Sequence, residues 1–299
     1  MDERVWPTER FEEQRPRLRA MAYRMLGSLS EADDAVQEAW LRLNRADTSD
    51  VENLAGWLTT VVARVCLNML RARAARREQP LDVYIPDPLI SHANGIDPEQ
   101  EALLADAVGL ALLVVLDTLT PAERLAFVLH DMFAVPFQEI APLVERSPAA
   151  TRQLASRARR RVQGAAPAPD PDLARQREAV DAYFAAARDG DFDALVAVLD
   201  PAVVLRADGG TARARPTVVV HGAEAVAAQA VTATRLAPFV RPALINGTAG
   251  AVVVVGGRVF SVMGFTVAHG KIVAIDVLYD PERLAGLDPA AVDRHSIDA

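Results

Sequence analysis

Apolar residues recur at helical spacing through the first half of the chain and give way to strand-like runs in the last third. Leu18, Met21, Ala22, Met25 and Leu26 mark one helix, which Gly27 ends. Ser30-Glu31-Ala32-Asp33 reads as a capping box with Asp in place of the usual Glu, and predicts a second helix to about Asn44. A polar loop, RADTSDVEN (45–53), separates it from a third helix that begins at Asn53 or a neighbour and runs from Leu54 to about Arg77. Pro80, Pro86, Pro88, Gly95 and Pro98 then break the pattern and predict a linker over 79–98. Helical spacing resumes to about Thr118. Thr120-Pro121-Ala122-Glu123 is a strong helix start, with a capping hydroxyl, proline at the first position and Glu at the third, and predicts a helix to about Phe133.

Next comes an apolar helix with a polar face, Phe137 to Val144, then a short turn, then a helix opened by Ser147-Pro148. Serine caps exposed amides, and proline suits the first helical position because its missing N–H has no partner there. Two short helices joined by a tight turn read as a helix-turn-helix, which lays its second helix in a major groove. The segment 164–172, GAAPAPDPD, is a second, extended linker. Beyond it, helical spacing holds over 173–188 and 192–199. The β-branched runs Val203–Leu205, Val218–Val220, Ala251–Val255, Val259–Val267 and Ile272–Leu278 follow, interrupted by a helix over 223–233. Gly256-Gly257 and His269-Gly270 read as hairpin turns. The order α-α-β-β-α-β-β-β-β implies an α+β domain with a curved antiparallel sheet. The expected organisation is therefore multidomain: an all-α domain over 8–78, a linker over 79–98, a second all-α domain over 99–163, a linker over 164–172, an α+β domain over 173–285 and a tail over 286–299.

Composition adds little about the fold but narrows the partners. With 51% hydrophobic and 24% charged residues the chain is globular. Its net charge of −8 repels nucleic acid as a whole, so any DNA contact must come from local basic patches or within a larger complex. Such patches exist. Residues 64–77 hold five arginines and no acid, and the helix after Ser147 carries Arg152, Arg157, Arg159, Arg160 and Arg161, again without an acid. Cys66 is the only cysteine, which excludes an internal disulfide and fits a cytoplasmic protein. The charged N-terminus lacks an apolar signal region and the longest apolar runs are too short for a bilayer, so no membrane association is expected. No nucleophile–base pair, phosphate-binding glycine loop or metal cluster is visible in 1–163, and neither a cofactor nor a metal is expected.

Asp34, Gln37, Glu38 and Leu41 fall at i, i+3, i+4 and i+7 and share one helix face, opposite the apolar Ala35, Val36, Ala39 and Leu43. Taken alone this pattern reads as a solvated acidic face; the sharper reading is a docking face for a basic partner helix. In order and spacing, DDAVQEAWLRL (33–43), GWLTTVVARVCLNMLRARAARRE (56–78) and FQEIAPLVERSPAATRQLASRARRRV (137–162) resemble the second and fourth conserved regions of bacterial sigma factors, specifically the extracytoplasmic-function (ECF) group. LDVYIPDPL (81–89) resembles the proline-rich linker of members with a C-terminal extension, and 173–284 resembles SnoaL-like domains of the cone-shaped NTF2 fold.

The resemblance implies a sigma factor that binds core RNA polymerase and promoter DNA and is regulated in cis by its SnoaL-like domain. It assigns Asp34, Gln37, Glu38 and Leu41 to the clamp helices of the β′ subunit. The 45–53 loop with Asn53 and Trp57 is assigned to a flipped base of the −10 element, and Arg64, Asn68, Arg71 and Arg73 to the −10 DNA. Ala149, Ala150, Arg152, Gln153, Ser156, Arg157 and Arg160 are assigned to the −35 element. Arg152 is the candidate for a bidentate guanine contact, worth roughly 1–3 kcal/mol of discrimination, while Arg157, Arg159 and Arg160 are placed to grip phosphate. Pro142 departs from the pattern and predicts a kink in the first helix of the helix-turn-helix.

In the C-terminal domain, Arg206, His221 and Asp276 are the candidate pocket residues, in a wider set with Asp208, Arg241 and His269. An inward Asp276 would suit proton transfer; an outward one is structural. A pocket for an unknown small ligand is favoured over catalysis, and a regulatory surface over both. Asp280, Pro281, Glu282, Arg283 and Leu284 loosely resemble an Asn-Pro-Asp-Lys-Leu motif of related proteins, and are expected to pack against the N-terminal domain. The alternative is a helix-turn-helix activator with a small-molecule-sensing C-terminal domain, which has no need of the 33–43 face or the basic third helix.

Overall fold

The computed structural model describes residues 5–45, 53–76, 83–92, 109–165, 169–210 and 217–287. The chain forms two compact units, one made of Met1–Gln79 with Val115–Ala165 and the other of Pro80–Val114 with Ala166–Ala299.

In the first unit α1 (Val5–Leu26), α2 (Leu29–Leu43) and α3 (Leu54–Arg76) pack on one another through Phe11, Met21, Met25, Ala39, Leu58 and Leu67. Gly27, at φ 71°, ends α1, and the chain turns at once into α2 with Ser28 as its cap residue. The helix thus starts ahead of the expected capping box. Ser30 and Glu31 lie inside it, and the Glu31 carboxylate pairs with Arg73 instead of its own backbone. Asn53 opens α3, its side-chain oxygen accepting from the Gly56 amide at 3.0 Å.

Helix α4 (Leu110–Asp117) leads to α5 (Pro121–Phe127), whose start is the expected reciprocal box between Thr120 and Glu123. The end of α5 widens into a π-helical turn, Val128–Met132. Helices α6 (Phe137–Val144) and α7 (Pro148–Ala165) form the helix-turn-helix. Glu145 closes α6 in the left-handed region at φ 56°, and the Ser147 hydroxyl accepts from the Ala150 amide at 3.2 Å to cap α7. Pro142 sits on the exposed side of α6, and the helix continues through it to Val144.

The second unit is built on a seven-stranded sheet. Its strands are β1 (Ile90–His92), β2 (Leu199–Asp208), β3 (Val218–His221), β4 (Val240–Ile245), β5 (Thr248–Val255), β6 (Arg258–Ala268) and β7 (Lys271–Leu278). Their spatial order is β1-β4-β5-β6-β7-β2-β3, antiparallel throughout except for the parallel pair β2–β7. The turns at Asn246-Gly247, Gly256-Gly257 and His269-Gly270 all have positive φ, as tight hairpins with right-handed strand twist require. Helices α8 (Leu173–Asp189), α9 (Phe192–Val198) and α10 (Ala223–Thr232) share a core with one face of the sheet through Tyr183, Leu195, Val226, Phe265 and Ile275. This is the expected α+β, SnoaL-like order of elements.

The segment expected to be a free linker behaves differently over its described part. Residues 83–92 belong to the sheet domain: Ile90–His92 pair with Ala243–Ile245, and Val83, Ile85, Ile90 and Leu110 share a second core with Ile245, Val252, Val262 and Leu278 on the opposite face of the sheet. Leu110 sits over Gly264, where an added methyl would meet its Cδ2 at 3.0 Å.

Candidate nucleic-acid interface

The face of α2 is open to solvent. Asp34, Gln37 and Leu41 are exposed, Leu41 to 40%. Glu38 is half-buried and tied to Arg42 at 2.8 Å on the next turn; Asp33, just off the face, pairs with Arg19. The ridge therefore combines one acid unpaired among the described residues, Asp34, with an apolar contact.

On α3, Arg64, Asn68 and Arg71 are exposed at i, i+4 and i+7, and Arg64 and Asn68 have no side-chain partner among the described residues. Arg71 lies 4.0 Å from Glu145. Arg73 departs from this stripe. It is turned into the junction of the helices, where it donates to the Leu26 carbonyl at 3.1 Å, pairs with Glu31 and approaches Asp117 at 3.8 Å. Trp57 is half-buried, and Asn53 is exposed beside a small polar pocket lined by Arg10, Glu13, Gln14, Leu54 and Ala55. No periodicity or motif marks the three α1 residues. Most of the 45–53 loop lies outside the described residues.

The second helix of the helix-turn-helix presents one continuous face. Thr151, Ala155 and Ala158 are buried, and the opposite side carries Ala149, Arg152, Gln153, Arg157 and Arg160 exposed, with Ala150 and Ser156 half-buried. Arg152 extends over the Phe137 ring at 5.4 Å, and Phe137 is itself stacked on His130. This contact holds the guanidinium without neutralising it. Arg157 and Arg160 have no partner among the described residues. Arg159 and Arg161, by contrast, are engaged within the unit: Arg159 pairs with Asp131, and Arg161 reaches the Thr118 carbonyl at 3.3 Å and Glu123 at 3.6 Å.

Both basic faces stand on one helical body, held by a buried network that sequence reasoning missed. Arg124 of α5 is 1% exposed and donates to the Arg24 carbonyl of α1 from Nε at 3.3 Å and Nη2 at 3.2 Å, and to Asp117 at 3.1 Å. With Arg73 and Glu31 it links α1, α2, α3, α4 and α5. A buried charge is tolerated only when paired and hydrogen-bonded in this way.

In the sheet domain, the described partners of the 280–284 segment lie in 83–89 and at Asp208. Arg283 donates to Asp87 from Nε at 3.0 Å and Nη2 at 2.5 Å, to the Ile85 carbonyl at 2.6 Å and to Asp208 at 3.0 Å, and lies 4.7 Å from the Tyr84 ring centre. Burial disfavours its charge, but Tyr84, Asp87 and Asp208 outweigh that and raise its pKa above the usual arginine value. Asp208 also accepts from the Ile85 amide at 3.0 Å and the Gly210 amide at 2.9 Å. Gly210 has φ 78°, and a Cβ there would fall 2.2 Å from the Asp280 carboxylate. Asp280 caps the short helix α11 (Pro281–Leu284), and Leu284 enters the core with Val83 and Ile85.

The three candidate pocket residues do not line the domain's cavity. Arg206 and Asp276 are register partners on the parallel β2–β7 pair and form a two-pronged ion pair at 2.6 and 3.1 Å, with Asp276 only 1% exposed. Their neighbours Leu205, Ala207 and Val277 point the other way, into the cavity. His221 is exposed at the end of β3. No group of three or more His, Cys, Asp and Glu that could hold a metal occurs among the described residues, and no described helix is long and apolar enough to cross a membrane.

A helix-turn-helix with an unneutralised arginine face, standing on the same body as a second basic helix, is the build of a DNA-binding protein that makes two separate contacts. Residues 10–76 match Sigma-70 region 2, and residues 109–162 match Sigma-70, region 4. The ECF RNA polymerase sigma factor SigJ of Mycobacterium tuberculosis is 38% identical over 92% of this chain and 92% of its own length. The probable ECF RNA polymerase sigma factor SigI of the same species is 36% identical over 88% of this chain and 90% of its own. The crystal structure of SigJ superposes with a TM-score of 0.76 at 35% identity, covering 94% of this chain and 99% of that one. The chain belongs to the ECF RNA polymerase sigma factors, which act in promoter recognition and the start of transcription. The reading as a simple helix-turn-helix activator leaves the region 2 match over residues 10–76 without a role.

Proposed function

We propose that this sigma factor docks on core RNA polymerase through Asp34, Gln37, Glu38 and Leu41, on the clamp helices of the β′ subunit. In this reading it holds −10 DNA along Asn53, Trp57, Arg64, Asn68 and Arg71, and reads the −35 element with the exposed face of α7. Arg73 drops out of the DNA set and acts as an internal brace. The observation that carries the reading is the division of the arginines: apart from Arg71, which lies at the limit of ion pairing with Glu145, those bonded inside the helical body lie off the two faces, and Arg64, Arg152, Arg157 and Arg160 on them have no ion-pair partner among the described residues. Unpaired guanidinium groups are the ones that release counterions from phosphate on binding.

Regulation in cis is proposed to run through the linker. The sheet domain holds residues 83–92, the segment between the two regions, by strand pairing and by the Arg283–Asp87–Asp208 cluster. A linker gripped at both ends of this segment limits how far the two regions can separate. No chemical step belongs to this reading, since the candidate acid-base residue Asp276 is committed to Arg206.

The test is reconstitution with core RNA polymerase on a promoter library. The chain should direct transcripts from discrete start sites, and the double variant Asp34→Arg, Glu38→Arg should lose core binding while keeping its circular dichroism spectrum and melting temperature. Normal core binding by the double variant would remove the docking assignment.

A further inference from the structure

The sheet domain contains a cavity of about 400 Å³ between the helical layer and the sheet, walled by Phe184, Leu205, Val253, Met263 and Val277. Well-packed protein interiors hold few voids larger than a water molecule, and this volume is within the range of small-molecule sites. Several polar side chains interrupt the apolar wall, and two of them are buried without a partner among the described residues. Tyr183 is 3% exposed and Ser261 is 5% exposed, and both line the cavity. Neither hydroxyl has a hydrogen-bond partner among the described residues, and neither is sealed away in the packing, so what remains of their surface opens on the void. The threonine hydroxyls of the lining behave differently: Thr232 donates to the Gln229 carbonyl, and Thr234 to the carbonyls of Ala187 and Val231. Burial alone raises the Tyr183 phenol above its usual pKa, which keeps it a neutral donor. The single charged residue of the lining, Arg235, is exposed and stands at the rim.

We propose that this cavity binds an uncharged, largely apolar small molecule bearing a carbonyl or hydroxyl oxygen, held by hydrogen bonds from Tyr183 and Ser261. A buried hydroxyl without a partner loses free energy that a ligand oxygen restores, and an apolar body matches the remaining wall. A charged group on the ligand is accommodated only if acidic and only at Arg235. The site is separate from Arg206, His221 and Asp276. Its far wall includes Tyr279, next to the Asp280 cap of the helix that holds the linker, so on the proposed regulatory reading an occupant would bear on that grip; binding itself stands independently of that reading.

The test is a titration of the full chain with prodan, a neutral naphthyl ketone whose emission shifts to the blue in apolar surroundings. The expected result is saturable, blue-shifted binding at one site per chain. Ala207→Phe, which fills the cavity from β2, should abolish it. Tyr183→Phe, which keeps the ring and removes the hydroxyl, should weaken it about five- to tenfold. Absence of saturable binding, or binding undiminished by Tyr183→Phe, overturns the proposal. Should Ala207→Phe fail to fold, the shape-preserving Tyr183→Phe decides alone. Promoter-directed transcription, measured on the same preparations, reports separately on the sigma-factor reading.

Discussion

Cys66 shows how far a side chain's surroundings govern its chemistry. It is fully buried in α3, and burial pushes its thiol from 9.0 up to about 12. At neutral pH the reactive thiolate is then about one molecule in 100,000. Iodoacetamide should leave the folded chain unmodified and label it only on unfolding, as mass spectrometry of the intact protein would report; fast native labelling would contradict the burial. The same shift carries a stability consequence. The folded state holds the proton more tightly than the unfolded one, so its contribution is fully present below pH 9.0 and is lost as pH rises toward about 12. Melting temperatures of the wild type should fall along this alkaline limb, and those of Cys66→Ala should fall less steeply. Arginine makes the complementary point. Arg64, Arg73 and Arg124 are the same residue type, yet one faces solvent, one braces the helix junction and one is buried almost completely.

At the scale of elements, what was legible in the sequence depended on whether one face of the element meets water. The α2 ridge was readable because Ala35 and Ala39 on one side are buried and Asp34 and Gln37 on the other are solvated, so the periodicity names both faces. The helix-turn-helix was readable from its caps and its turn. Strand β7 was not readable in the same way. Both faces of the sheet are covered, by helices on one side and by residues 83–90 on the other, so neither side of Lys271–Leu278 is polar and the inward direction of Asp276 could not be told from pattern. Residues 83–92 were missed for a different reason. Pro86 and Pro88 read as a spacer, while the strand they lead into needs a partner some 150 residues away, which no local pattern encodes. The alternation of Val83 and Ile85 was the available clue. The Arg283 cluster gives this element its own test. Arg283→Ala leaves Asp87 and Asp208 without their cation, and limited proteolysis should cut within 83–92 several times faster than in the wild type, read by mass spectrometry of the fragments. An unchanged cleavage rate would mean that strand pairing alone holds the segment.

For the whole molecule, the question is reach. The −10 and −35 elements lie about 25 base pairs apart, roughly 85 Å along B-DNA, whereas a compact unit of about 130 residues has a radius of gyration near 14 Å. On the proposed assignment of the two faces, the helical unit cannot touch both elements in the packing described, and engagement would require α5 to leave α1. The Arg124 network is what that separation breaks. Arg124→Met should lower stability by about 3 kcal/mol, because Asp117 and the Arg24 carbonyl lose their buried partner. Resonance energy transfer between dyes on α2 and α7 should fall in this variant before core polymerase is added, and in the wild type only afterwards. Equal transfer in both free proteins would show that another contact keeps the regions together. Any state in which residues 83–92 lift away has a further cost that the DNA does not compensate. Strand β4 would become a bare margin, stripped of the ladder bonds it makes to Ile90–His92 at every second residue, with only Arg241 and Pro242 to blunt the near end. An opened chain in free solution is thus prone to edge-to-edge self-association, which favours opening on the partner rather than ahead of it.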